Sequence, residues 1–185
     1  ENAALAIKIL TGRYLDTIEG QYLDLSFEQK LDIKPEQYLK MVEKKTGSLI
    51  QGAMHLGALL GLADTTQIQA LRKCGLLLGL AFQARDDWLG IWGDPSLTGK
   101  AVGADIQRKK NSLPIVYGLA LATKATRERL IELYRLPILD YHSTFEIMGI
   151  LEQLGAREFV QAIAEQKQEE AIASSRIASL PHWAQ

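Results

Sequence analysis

Asp86 and Asp87 form the chain's one Asp-Asp pair, within Phe82-Gln83-Ala84-Arg85-Asp86-Asp87-Trp88-Leu89-Gly90-Ile91-Trp92-Gly93-Asp94. The apolar spacing before them is helical, so the pair is expected at the C-terminal end of a long helix. That end already carries partial negative charge. Two unit charges about 4 Å apart repel by roughly 4 kcal/mol at an effective dielectric of 20. A divalent cation removes that penalty. An oxygen-rich site with water positions left open favours Mg2+, above all where phosphate oxygens complete the shell. Gln83 and Asp87 stand one helical turn apart, and Asp94 lies two turns beyond Asp87 if the helix persists, so a third carboxylate could reach the same mouth. Taken alone, an acidic pair near a helix end is more often solvated surface.

The loop that follows tilts the balance toward phosphate chemistry. Lys100 and Lys110 flank Asp105, and Gly99 and Gly103 allow close backbone approach. Lysines bind phosphate as point charges. Carboxylates followed by a Gly/Lys loop suit a diphosphate bridged by Mg2+. Upstream, Lys44-Lys45-Thr46-Gly47 interrupts an apolar helical stretch and offers a cation and a hydroxyl. It reads equally as an exposed helical stripe. Gln21 and Asp24 share a helical face at i,i+3, a pattern that alone is more often surface.

These residues need helices to position them. The chain is rich in Ala, Leu, Gln, Glu and Lys, has five prolines, and shows no convincing period-2 run. Leu5, Ile9, Leu10, Tyr14, Leu15 and Ile18 mark a helix over about 2–25. Pro35 opens a second, to about 61, with Tyr38, Met41, Val42, Leu49 and Ile50 as its buried stripe. Asp64-Thr65-Thr66-Gln67 reads as a capping box for a third over about 65–92, roughly 40 Å long. It is apolar on most sides near Leu76 to Phe82, so a central place and core packing for Phe82 are expected. A loop then runs to about 110. Shorter helices follow over about 112–122, 126–134, 141–154 and 156–177, with Gly155 between the last two. Residues 180–185 read as a frayed end.

Composition narrows the function classes. Of 185 residues 47% are hydrophobic, which excludes disorder as the main state, and 21 basic against 22 acidic residues argue against nucleic-acid binding. One cysteine excludes an internal disulfide and fits a reducing, cytoplasmic compartment. The longest apolar run is about half of what an integral membrane segment needs. A single all-α domain is expected.

In their order along the chain, these pieces resemble the trans-isoprenyl diphosphate synthase (polyprenyl synthetase) family. The likeness covers Gly20 to Pro114 and rests on Gly20-Gln21-x-x-Asp24-Leu25, Lys45-Thr46-Gly47, Phe82-Gln83-x-x-Asp86-Asp87, Gly93-Asp94, Thr98-Gly99-Lys100, Asp105-Ile106 and Lys110-x-Ser112-Leu113-Pro114. The resemblance implies an isoprenoid-synthase-type helical bundle. It further implies condensation of an allylic diphosphate with isopentenyl diphosphate to a longer trans-prenyl diphosphate, with Mg2+ as cofactor. By it, Asp86 and Asp87 are metal-site residues, and Lys45 and Lys100 bind the leaving diphosphate with help from Lys110. Gln83, Thr46, Gln21 and Asp24 line the allylic site.

Two departures stand out. The fifth position of the family's second Asp-rich motif is Gly90, and the first motif is absent. Residues 1–185 are therefore expected to be the C-terminal part of one such domain, a bundle incomplete at the N-terminus and inactive alone. Apolar faces bared in this way predict a homodimer or higher oligomer. The alternatives are a non-catalytic or regulatory subunit of a heteromeric prenyl synthase, and a class I terpene cyclase-like enzyme.

Overall fold

A computed structural model describes residues 2–28, 30–61 and 63–179, and among these every regular element is helical. The first helix, α1, is Asn2–Phe27. Pro35–Val42 (α2) passes through a π-helical turn, Glu43–Gly47, into Ser48–Leu60 (α3). Thr65–Trp92 (α4) is followed by two single-turn helices, Pro95–Thr98 (α5) and Ala104–Gln107 (α6). Leu113–Leu121 (α7), Lys124–Arg135 (α8), Tyr141–Gln153 (α9) and Ala156–Ile177 (α10) complete the order. The expected frayed end, 180–185, lies outside the described residues.

Local chemistry sets the boundaries. Gln67 N–H donates to Asp64 Oδ1 at 2.8 Å, and Asp64 N–H donates to Gln67 Oε1 at 3.1 Å, so α4 starts on a reciprocal capping box. The segment expected as an unbroken loop holds α5 because Asp94 caps it, accepting from Ser96 N–H at 2.8 Å, with Pro95 in its first turn. Gly99 and Gly103 then take positive φ values of 66° and 72°.

The π-turn corrects the stripe expected along the second helix. One extra residue per turn rotates everything after it by about 100°. Tyr38, Met41 and Val42, ahead of the turn, are buried; Leu49, beyond it, is 52% exposed, while Ser48 and Gln51 turn inward. The central place expected for the apolar middle of α4 is also only half right. Leu77 is buried, but Leu78 and Phe82, one turn apart on one face, are exposed, Phe82 by 64%.

The chain forms two compact units. The first comprises 1–25, 40–83 and 164–185. In it Gly75 and Gly79, one turn apart on α4, let another backbone come close: a Cβ at Gly79 would lie 2.5 Å from Gly47 Cα, and one at Gly75 2.8 Å from Gln51 Cα. A Cβ at Gly20 of α1 would strike the Lys45 backbone nitrogen. The π-turn is thus held by backbone contact. Several large apolar side chains of α1, among them Tyr14, Leu15, Ile18 and Tyr22, are more than half exposed. The second unit comprises 26–39 and 84–163. Its core is built on Ile91, Ile106, Ile147 and Leu151, all fully buried.

Candidate functional site

Within the second unit, three carboxylates gather around one ammonium. Lys110 Nζ lies 3.0 Å from Asp105 Oδ2, 3.1 Å from Asp87 Oδ1 and 3.5 Å from Asp86 Oδ2. The last turns of α4 supply Asp86 and Asp87, α6 supplies Asp105, and the segment before α7 supplies Lys110. Lys100 Nζ stands 4.0 Å from Asp86 Oδ1.

The adjacent aspartates live in different surroundings. Asp87 has no solvent exposure. Its Oδ2 accepts from the Tyr38 hydroxyl at 2.6 Å and from the Leu113 N–H at 3.0 Å, while its Oδ1 accepts from Lys110. Burial pushes its carboxyl above the usual range, against the pull of Lys110, Tyr38 and Leu113. Burial also draws Lys110 down, but Asp87 and Asp105 outweigh it and hold the ammonium well above its ordinary value. Lys110 is therefore a fixed cation at neutral pH. Asp86, by contrast, has a side chain 39% exposed.

The third carboxylate is Asp105 and not Asp94, whose side chain is spent on capping α5. Helical spacing carried Asp94 toward the mouth only if α4 persisted, and α4 ends at Trp92. Gly90 has a structural reason here. A Cβ at that position would collide with the Asp105 carboxylate, so glycine at 90 makes room for Asp105 beside α4. Tyr38 is the residue that spacing could not supply. It lies 49 positions from Asp87 and reads from sequence only as part of a buried stripe.

Among the described residues no three His, Cys, Asp or Glu side chains converge as a metal-ligating group. The donor set still fits Mg2+, which dehydrates reluctantly and is usually held by one or two carboxylates with substrate phosphate and water completing its shell. Asp86 is the solvent-facing oxygen donor, and the lysines beside it match phosphate.

The first unit brings its own expected residues together in pairs. Lys45 Nζ contacts Asp24 Oδ2 at 2.5 Å. Thr46 Oγ1 donates to Gln83 Oε1 at 3.2 Å. Both arise at the π-turn, a distortion frequent at functional sites. Gln21 is exposed on α1.

Comparisons with known proteins agree with these motifs. The chain matches the family profile described as polyprenyl synthetase over residues 1–147. It is 41% identical over 138 residues to a geranylgeranyl diphosphate synthase of Mycobacterium tuberculosis, covering 74% of this chain and 39% of that protein. Its structure resembles a geranylgeranyl pyrophosphate synthetase from Pyrococcus horikoshii with a TM-score of 0.90 at 28% identity, over 96% of this chain and 54% of that one. It also resembles a geranylgeranyl pyrophosphate synthase from Corynebacterium glutamicum, complexed with isoprenyl diphosphate and magnesium. There the TM-score is 0.87 at 28% identity, over 99% of this chain and 52% of that one. The chain thus spans between about two fifths and just over half of these proteins.

Proposed function

The chain belongs to the polyprenyl synthetase family, and from that membership we propose that it carries the diphosphate-holding part of a prenyl-chain-elongating transferase. The substrates are an allylic diphosphate and isopentenyl diphosphate, and the product is a longer trans-prenyl diphosphate. The observation that carries this reading is Lys110, a permanently charged ammonium set among Asp86, Asp87 and Asp105.

Mg2+ bound through Asp86 supplies charge neutralisation for a leaving diphosphate. Asp87 serves the same centre from behind: it is spent on Tyr38, Leu113 and Lys110, and so fixes the end of α4 and the lysine in place. Lys100 and Lys110 donate to diphosphate oxygens as the allylic C–O bond breaks and its electron pair leaves with the diphosphate. Such preorganised charge costs no reorganisation at the moment of reaction. Lys45, Thr46, Gln83, Gln21 and Asp24 act as substrate-binding residues. The double bond of isopentenyl diphosphate then attacks the allylic carbon, and the resulting cation gives up a proton to the departed diphosphate.

Residues 1–185 form the C-terminal part of one such domain, and the protein works in the cytoplasm as a homodimer or higher oligomer. Among the described residues no helix is long and apolar enough to cross a membrane. Because the sequence contains a single Asp-Asp pair, these 185 residues bind Mg2+-diphosphate but do not turn over alone. Calorimetry with inorganic pyrophosphate tests the binding. Uptake is expected to be strengthened by Mg2+, and Asp86→Ala is expected to abolish that strengthening. Uptake that Mg2+ does not strengthen, or a strengthening that survives Asp86→Ala, would overturn the assignment, and product from labelled isopentenyl diphosphate with the chain alone would overturn the claim of inactivity.

A further inference from the structure

In the second unit, a basic cavity of about 770 Å3 and an apolar cavity of about 560 Å3 share Leu31, Asp32 and Arg127 as lining. We propose that together they bind one free amphiphilic anion, with a mono- or diphosphate head and a linear aliphatic tail, at a site separate from the Asp86–Asp87 centre.

Charge complementarity argues for the head. Lys30, Lys109, Arg127 and Arg135 line the basic cavity against a single acid, Asp32. None of these four cations pairs with a carboxylate among the described residues; two are instead held by backbone carbonyls. Arg127 donates to Leu31 O at 2.7 Å, and Lys109 donates to Leu136 O at the end of α8. A carbonyl orients a cation without cancelling its charge, so the cavity keeps an excess of positive charge aimed by the fold. Lys109 does this from a left-handed backbone, φ 53°, while its neighbour Lys110 engages the carboxylates. The Tyr134 hydroxyl, buried and without a partner among the described residues, belongs to a side chain lining the same cavity.

The adjoining cavity argues for the tail. The rings of Tyr117 and Phe159 stack there at 3.8 Å between centroids and 11° between planes, and Leu119 and Leu121 line it beside them. A volume of about 560 Å3 falls in the range of pockets that bury small molecules. The cations line a concavity and not a flat face, which favours a single free molecule over a lipid surface. Prenyl diphosphates belong to this chemical class. That the site senses product rests on the proposed function; the binding itself does not.

Calorimetric titration with farnesyl diphosphate in EDTA tests the site, because EDTA silences magnesium-dependent uptake at Asp86. Saturable one-to-one binding is expected, unchanged by Asp86→Ala. The double variant Lys30→Gln/Arg135→Gln removes two exposed cations and is expected to weaken binding at least about tenfold, the scale of one lost charged hydrogen bond. Inorganic pyrophosphate, which lacks the tail, is expected to bind at least about tenfold more weakly than farnesyl diphosphate. Circular dichroism confirms that the double variant is folded. The proposal is overturned if no uptake occurs in EDTA, if the double variant binds as tightly as the parent, or if pyrophosphate binds as well as farnesyl diphosphate. It is overturned equally if the chain binds phosphatidylglycerol vesicles but not the free amphiphile.

Discussion

Tyr38 donates its hydroxyl to Asp87 Oδ2 at 2.6 Å, so a phenol from α2 completes the hydrogen bonding of a carboxylate with no solvent exposure. Removing that hydroxyl leaves a buried anion with one donor fewer. Tyr38→Phe is expected to cost about 1.5–3 kcal/mol, the range for hydrogen bonds to charged groups. At about 2–4 °C per kcal/mol for a chain of this size, the shift is readable in a thermal melt. A melt that superimposes on the parent's would refute the role given to Tyr38.

Asp86 and Asp87 are neighbours with opposite duties, and two variants separate them. Asp86→Ala removes a partly exposed carboxylate and is expected to change stability by less than about 1 kcal/mol, the scale of exposed ion pairs. Asp87→Ala takes an acceptor from Tyr38, the Leu113 N–H and Lys110 at once, and is expected to cost at least about 3 kcal/mol. Urea titration of both variants checks this. Equal midpoints would mean that the two aspartates share one role.

Lys110→Met probes the ammonium itself. It strips Asp87 and Asp105 of their common cation and is expected to cost about 3 kcal/mol at neutral pH, the low end for a broken buried pair because Lys110 is 37% exposed. The pH dependence follows from burial. Without Lys110 the Asp87 carboxyl is raised further, so the folded state binds a proton more tightly than the unfolded chain does. Stability is then present at low pH and is lost as pH rises above the unfolded carboxylate value of about 3.9. In EDTA, the gap between Lys110→Met and the parent should therefore widen from pH 4 to pH 7. A constant gap would contradict this account.

Gly79→Ala tests the backbone contact under the π-turn. The new Cβ would meet Gly47 Cα at 2.5 Å, and that neighbour is main chain with no side chain to swing aside. A loss of about 1–3 kcal/mol is expected, as for overpacked cores. The π-turn must also shift, which separates Thr46 from Gln83. Chemical-shift perturbation should accordingly spread through 43–47. Gly57→Ala, at an open position within α3, is the control: it is expected to gain up to about 1 kcal/mol from helix propensity and to leave the shifts of 43–47 near the parent's.

Several of these relationships are legible in the sequence. The α4 boundaries follow from the Asp64/Gln67 capping box and the Gly93-Asp94-Pro95 break. The acidic pair, Lys100 and Lys110 were identifiable from residue type and order. Local signals of this kind are strong because they act within a turn or two of helix. The capping signals of Asp94 and Pro95 were also present, and α5 could have been expected from them. The close backbone approach at Gly75 and Gly79, by contrast, comes from the structure alone.

Sequence by itself determined that this chain is helical, where its long helices start and stop, and which charged residues crowd the end of α4, because helix periodicity and capping are short-range. Tertiary structure decided that Tyr38 and Asp105, not Asp94, complete the surroundings of Asp87, that Leu49 faces outward past the π-turn, and that Phe82 is exposed. Those outcomes depend on which distant backbones approach one another, and a carboxylate is buried only where donors from several elements converge on it at once.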